Sequence, residues 1–365
     1  MILHVTEACG GGVRRHLQLL VPELLRRGLE CGIFAFGNRL EPGFLEDMAA
    51  LMQLGCRVTV VRGASLAAWP MLRRVIREWS PRLIHSHAAR GGLLARLCAG
   101  HTPVLHSPHG LPPPGTLRHR LLHGMEMLTR RRVISYVLVS SAEQEAPLAL
   151  GIPAEKCRVV PNGVPANLAE ESQPRNVARR TLGLPSEGRL IGVPARLATQ
   201  KGVDTLLQAL PSMRSDCLVV LCGDGPERSR LVNLASSLGV QSKVVFAGHI
   251  EGLWRSLRAF DAIVLPSRYE GLSYALLETV ALGIPLMASD IPANVPCPEL
   301  RPYLHLFPPD DPGALAQVAD GLLENLEPGR RLASQAQTLL NRQFSLTAQA
   351  ESLSRIYREA PCSLN

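Results

Sequence analysis

Short apolar runs separated by stretches of helical periodicity recur from the first residues to beyond position 300, and this alternation limits the fold more than any other feature. Ile2–Thr6 reads as a strand. Val13, Leu17, Leu20, Val21 and Leu24 then recur at helical spacing up to Gly28, a suitable stop. Further strands are predicted at 32–36, 57–61, 82–86, 103–106 and 135–140, and helices at 42–54, 66–79 and 91–99. Another helix is predicted from Ser141, where the serine is expected to cap and Glu143 and Glu145 to fall in the first turn. The second half repeats the scheme, with strands at 190–193, 217–222, 244–250, 262–265, 286–289 and 303–307 and amphipathic helices at 311–324 and 345–358. Strands joined by helices of this length require right-handed crossovers and a parallel sheet, so the class is α/β.

With 365 residues the chain can bury two cores, and the polar, proline-bearing stretch 165–174 reads as the linker between them. Met1–Thr6 lacks the flanks of a signal peptide, and no apolar run approaches the ~18 residues of a membrane span. Nine cysteines without a Cys-x-x-Cys pair suit a reducing cytoplasm and give no structural zinc motif. Charge is divided unevenly. Residues 1–165 carry 20 Lys and Arg against 11 Asp and Glu, whereas 166–365 carry 19 against 20, which together give the net +8. The surplus includes Arg73, Arg74 and Arg77, Arg118 and Arg120, and Arg130–Arg132. Such groups can hold an anionic membrane surface or a lipid diphosphate, or simply keep a face solvated. Nucleic acid is not expected, because few aromatics interleave with the arginines.

Gly10-Gly11-Gly12, between the first strand and helix, allows a phosphate or an acceptor to approach the backbone closely. It lacks the Gly-x-Gly-x-x-Gly spacing, and the next strand runs into Gly37-Asn38 where a ribose-binding acid would stand, so a dehydrogenase is set aside. His85-Ser86-His87 and His106-Ser107-Pro108-His109-Gly110 follow strands, where a doubly wound sheet collects its ligands. Their spacing matches no zinc arrangement, and local hydrogen bonding accounts for most such histidines. In Ala262–Pro285 a buried strand, a turn at Pro266–Gly271 and a helix from about Leu272 follow one another. The amides at such a helix start attract a diphosphate, and Glu270 and Glu278, eight residues apart, can accept from sugar and ribose hydroxyls. The alternative is that Glu270 favours the helix N-terminus and Glu278 is solvated.

Glu270-x7-Glu278, preceded by Leu265-Pro266-Ser267 and followed by Ala281–Pro285, resembles the sugar-nucleotide motif of retaining glycosyltransferases of family 4, which have the GT-B fold. His109-Gly110, Val160-Pro161-Asn162-Gly163, Arg196-x4-Lys201-Gly202 and Gly223-Asp224-Gly225-Pro226 resemble further segments of that family in the same order. The resemblance implies two doubly wound Rossmann-like domains facing across a cleft. Residues 1–166 would bind the acceptor, 167–344 the nucleotide sugar, and 345–365 would cross back to the first domain. It also implies that Glu270 and His109 orient the donor sugar and that Glu278 meets the ribose. Arg196, Lys201 and the amides of Gly271, Leu272 and Ser273 would bind the diphosphate, Gly11, Gly12 and Gly223 would line the donor site, and the backbone at His249 and Ile250 would meet the base. After Asp290 the chain departs from the family, with Ile291–Pro302 replacing a Gly-Gly and Glu-rich segment.

The expected activity is therefore retaining transfer from a nucleoside-diphosphate sugar to a glycan or polyprenyl-linked acceptor, in cell-envelope polysaccharide synthesis such as that of lipopolysaccharide. The expected place is the cytoplasm or the inner face of the membrane. No cofactor and no metal are expected, since no Asp-x-Asp is present to hold a divalent ion. A phosphorylase or hydrolase of the same architecture, and a non-catalytic nucleotide-binding partner of a polysaccharide complex, are the competing readings.

Overall fold

The computed structural model describes residues 1–37, 40–63, 65–110 and 124–361, the side chains of 65 and 66 aside. The expected loop at 111–115 and the basic pair Arg118 and Arg120 lie outside the described residues. The chain divides into two compact units, Met1–Gly163 with Leu346–Asn365, and Val164–Ser345.

The first unit is built on a parallel sheet in the order β3-β2-β1-β4-β5-β6-β7. The strands are β1 Ile2–Thr6, β2 Cys31–Gly37, β3 Arg57–Arg62, β4 Leu83–His87, β5 Val104–Ser107, β6 Val133–Leu138 and β7 Cys157–Val159. Strand alternation sends neighbouring residues to opposite faces, and both faces are covered. Ile2, Ile33, Leu83 and Leu105 join the core under helices α1 (Gly11–Arg26) and α2 (Phe44–Gln53) and the last helix, Leu346–Glu359. Leu3, Phe34, Ile84 and Val104 join the opposite core under α3 (Ser65–Trp79) and α4 (Ala88–Cys98). The same alternation fixes the histidines: His4, His85 and His87 share the α1 side, whereas His106 faces α4. Between β1 and β4 the strand order reverses direction, and this opens a crevice at their carboxyl ends.

The second unit has a parallel sheet in the order β10-β9-β8-β11-β12-β13 and the same kind of reversal between β8 and β11. Its strands are β8 Leu190–Val193, β9 Leu218–Cys222, β10 Val244–Gly248, β11 Ala262–Leu265, β12 Leu286–Ser289 and β13 His305–Phe307. Leu206, Leu207, Leu315 and Leu322, from the helices Val203–Ala209 and Pro312–Glu324, pack with Val193, Val219 and Val264 of the strands in its buried core.

Three expectations are corrected. Ser141 opens a 3-10 turn, Ser141–Gln144, with no side-chain cap. The buried Glu143 accepts instead from the Val139 N–H at 2.8 Å. The stretch 165–174 is not plain linker but holds a helical turn, Leu168–Glu171. The sequence reading also missed an 18-residue helix, Leu326–Gln343. Pro328 and Gly329 do not break it: in the first turn Pro forfeits no hydrogen bond, and Gly329 is buried against Leu322 and Pro285.

Candidate functional site

In the second unit the loops leaving β8, β9 and β11 pack together at the carboxyl edge of the sheet. A Cβ on Gly202, whose φ is +60°, would lie 2.0 Å from the Pro266 carbonyl oxygen, and one on Gly223 would lie 2.0 Å from that of Ala195. Only glycine permits these approaches. Across the first, the Arg268 N–H donates to Gln200 O at 2.8 Å and the Gln200 amide to Tyr269 O at 2.9 Å. The Arg268 guanidinium pairs with Asp204 at 3.1 Å and with Asp310 at 2.7 Å. Burial works against the Asp204 charge, but hydrogen bonds from Arg268 and Arg230 hold its carboxyl below the usual range.

This frame brings the Lys201 ammonium onto the Glu270 carboxylate, which also accepts from Ser267 Oγ at 2.8 Å. Both are largely buried, with side chains 21% and 10% exposed, so neither charge is merely a surface one. Arg196 sits on the same loop as Lys201, exposed, and makes no ion pair among the described residues. Glu278 is 8% exposed within the helix Tyr274–Ala281, which removes the reading of a solvated carboxylate. Ser273, after Gly271 and Leu272, is the N-cap of that helix, which has no carboxylate in its first turn and no side-chain cap. His249 and Ile250 follow β10 at the same sheet edge, His249 lying 3.4 Å from Glu251.

Two supporting residues escaped the sequence reading. The Ser289 hydroxyl donates to the Ser267 carbonyl, and the buried Asn294 amide donates to Ser289 O at 2.9 Å. Asn294 belongs to the stretch that departs from the family pattern, and its contacts brace the turn that carries Glu270.

In the first unit Gly11 has φ +59° and its N–H donates to the Glu41 carboxylate at 3.0 Å, while Gly12 faces open space. His109, with φ +55°, stands in the left-handed region that few non-glycine residues occupy. Its Nε2 is 2.9 Å from His87 Nδ1, and His87 Nε2 is 3.0 Å from His4 Nδ1. The His85 ring nitrogens lie 2.7 Å from Tyr357 Oη and 2.9 Å from Ser107 Oγ. His16 Nδ1 is 3.1 Å from Asn162 Oδ1, which also accepts from Gln349 at 3.2 Å. Burial lowers the pKa of His4 to about 3 and of His16 to about 4. Burial and neighbouring imidazoles push His85, His87 and His109 well below the ordinary value, so the whole cluster is neutral at pH 7. The sequence marked His85, His87, His106 and His109 as following strands and gave a role to His109 alone. His4 and His16 join it only through the strand order.

Residues 174–339 match the family described as Glycosyl transferases group 1, and residues 10–168 the one described as Glycosyltransferase Family 4. An uncharacterized glycosyltransferase of Methanocaldococcus jannaschii is 31% identical over 182 residues, 47% of this chain and 46% of that one, so the chain spans less than half of that relative's length. The alpha-D-kanosaminyltransferase of Streptomyces kanamyceticus is 26% identical over 97% of both chains. Among solved structures, Anabaena Alr3699/HepE in complex with UDP-glucose superposes with a TM-score of 0.82 over 98% of this chain and 99% of that one, at 20% identity, a likeness of fold. With two doubly wound parallel sheets and family matches over most of its length, this chain belongs to the glycosyltransferases of family 4, enzymes of the GT-B fold.

Proposed function

We propose that the chain transfers a sugar, with retention of anomeric configuration, from a nucleoside-diphosphate sugar to a glycan or lipid-linked acceptor in cell-envelope or extracellular polysaccharide synthesis. The observation that carries this reading is the contact between Lys201 and Glu270, which sets a cation and a polyol-accepting carboxylate side by side at the carboxyl edge of β8 and β11. Glu270 accepts from hydroxyls of the donor sugar, and Glu278 from the ribose. As the bond to the anomeric carbon breaks, negative charge gathers on the diphosphate. Arg196, Lys201 and the amides of Gly271–Ser273 stabilise that charge in place of a metal. The acceptor hydroxyl attacks the anomeric carbon on the face the diphosphate leaves, and its proton passes to a departing phosphate oxygen. His109 contributes to orienting the sugar. The first unit takes the acceptor. Its exposed Arg73, Arg77, Arg131 and Arg132 suit an anionic membrane surface, which attracts basic side chains.

The test is a thermal-shift panel of UDP, GDP, ADP and their sugars. A ligand at a hundred times its Kd stabilises by about 2.7 kcal/mol. One base should stabilise wild type and stabilise Lys201→Ala distinctly less. No shift with any nucleotide would overturn the reading.

A further inference from the structure

We infer that His16, His87 and His109 form a binding site for a first-row divalent transition-metal ion of the zinc, cobalt or nickel kind. One ring nitrogen from each lies within 4.8 Å of one from each of the others. The three come from α1, the carboxyl end of β4 and the turn after β5. They meet at the β1/β4 reversal of the sheet.

Proton counting favours an ion there. A neutral imidazole carries one N–H and one lone pair. His16 places its proton on Nδ1, because Asn162 Oδ1, which it faces at 3.1 Å, can only accept, and this leaves the lone pair on Nε2. Between His87 Nδ1 and His109 Nε2, 2.9 Å apart, there is room for one proton. Three converging nitrogens therefore share a single hydrogen. A divalent ion takes all three lone pairs at once if His87 carries its proton on Nε2, towards His4 Nδ1 at 3.0 Å, and His109 carries its own on Nδ1. The arrangement is three imidazoles with an open fourth position, and outer partners fix two of the tautomers: Asn162 for His16 and His4 for His87. The neighbouring trio His4, His85 and His87 is less suited. Both nitrogens of His85 are engaged, by Tyr357 and Ser107, and all three rings are fully buried, whereas His109 is only partly so. The diphosphate in the proposed transfer is neutralised by cations of the other unit, but His109 belongs to both sites, so an ion bound here competes with the donor sugar for that imidazole.

The test uses the full chain, without a histidine tag and stripped by chelator, titrated with Co2+ while its visible d–d bands are followed. The expected result is saturation at a single equivalent with four-coordinate bands, displaced by Zn2+. His16→Gln and His109→Gln should each weaken binding at least ~10-fold, and Asn162→Ala by ~10–100-fold as an outer partner. Thermal unfolding of the metal-free variants checks that they fold. Should a variant fail to fold, histidine ring-nitrogen resonances of the wild type are followed with Zn2+, and those of His16, His87 and His109 should shift. Absence of Co2+ bands, unchanged affinity in both glutamine variants, or binding lost in His4→Leu but kept in His16→Gln would overturn the site.

Discussion

The Lys201 ammonium donates to the carboxylate of Glu270, joining the loop after β8 to the turn after β11 within one unit. Neither element has a reason of its own to hold a charge there. The pair closes only because Gly202 lets the two backbones touch.

Lys201→Ala is expected to weaken binding of the nucleoside diphosphate by ~10–100-fold, the range of one charge-assisted hydrogen bond. Glu270→Gln should instead lower kcat for the nucleotide sugar while nucleotide affinity stays nearly constant. Calorimetry with the nucleotide beside steady-state kinetics separates the two outcomes.

Asn294→Ala removes two donations to Ser289, to its carbonyl at 2.9 Å and its hydroxyl at 3.1 Å. A loss of about 1–3 kcal/mol in stability is expected for the groups left buried. Transfer should fall through a looser Glu270 turn, and restoration by Asn294→Asp is not expected, since a carboxylate donates nothing. Urea unfolding and kcat/KM check these points.

His4, His16 and His106, fully buried, have pKa values lowered by burial to about 3, 4 and 4, against 6.5 when exposed. The unfolded chain therefore binds protons below pH 6.5 that the folded chain refuses. Their contribution to stability is complete above that pH and is lost as the pH falls towards 4. Each histidine adds up to about 1.4 kcal/mol per pH unit to the slope. Chemical denaturation between pH 7 and 4 should show it, and His106→Gln should reduce the slope by one proton.

Sugar transfer should not be lowered by EDTA, because the proposed neutralisation of the leaving group uses Arg196 and Lys201. A rate that falls with chelation and returns with Mg2+ would contradict that assignment.

Arg131→Glu with Arg132→Glu should weaken binding to anionic vesicles, at about 1 kcal/mol for each basic residue near the surface. Sedimentation with neutral and anionic vesicles measures it. Indifference of wild type to anionic lipid would remove the membrane surface as a partner.

Much of the fold could be read from the sequence because period-2 and helical patterns are local. Leu190–Val193, Ala262–Leu265 and Leu286–Ser289 stand where their apolar runs place them. Glu270 and Lys201 were found as motif members, though nothing local tells that their side chains touch. The histidine cluster was not legible. His4, His16, His87 and His109 are spread over more than a hundred residues, and only the β2-β1-β4-β5 order draws them together. Asn294 was hidden for a similar reason: its partner Ser289 is reached by a 3-10 turn, Pro292–Asn294, that a proline-rich stretch does not announce.

The first unit is discontinuous, since its last helix is supplied by residues 346–359 and sets Tyr357 against His85. A gene fragment ending at Gly163 would thus encode an incomplete body with that histidine stripped of its cover. Val164 and Ser345 are bridge partners, so the two chain ends of this body emerge as neighbours. A short splice from Gly163 to Leu346 should yield it whole, while residues 164–345 can be produced as a single uninterrupted piece.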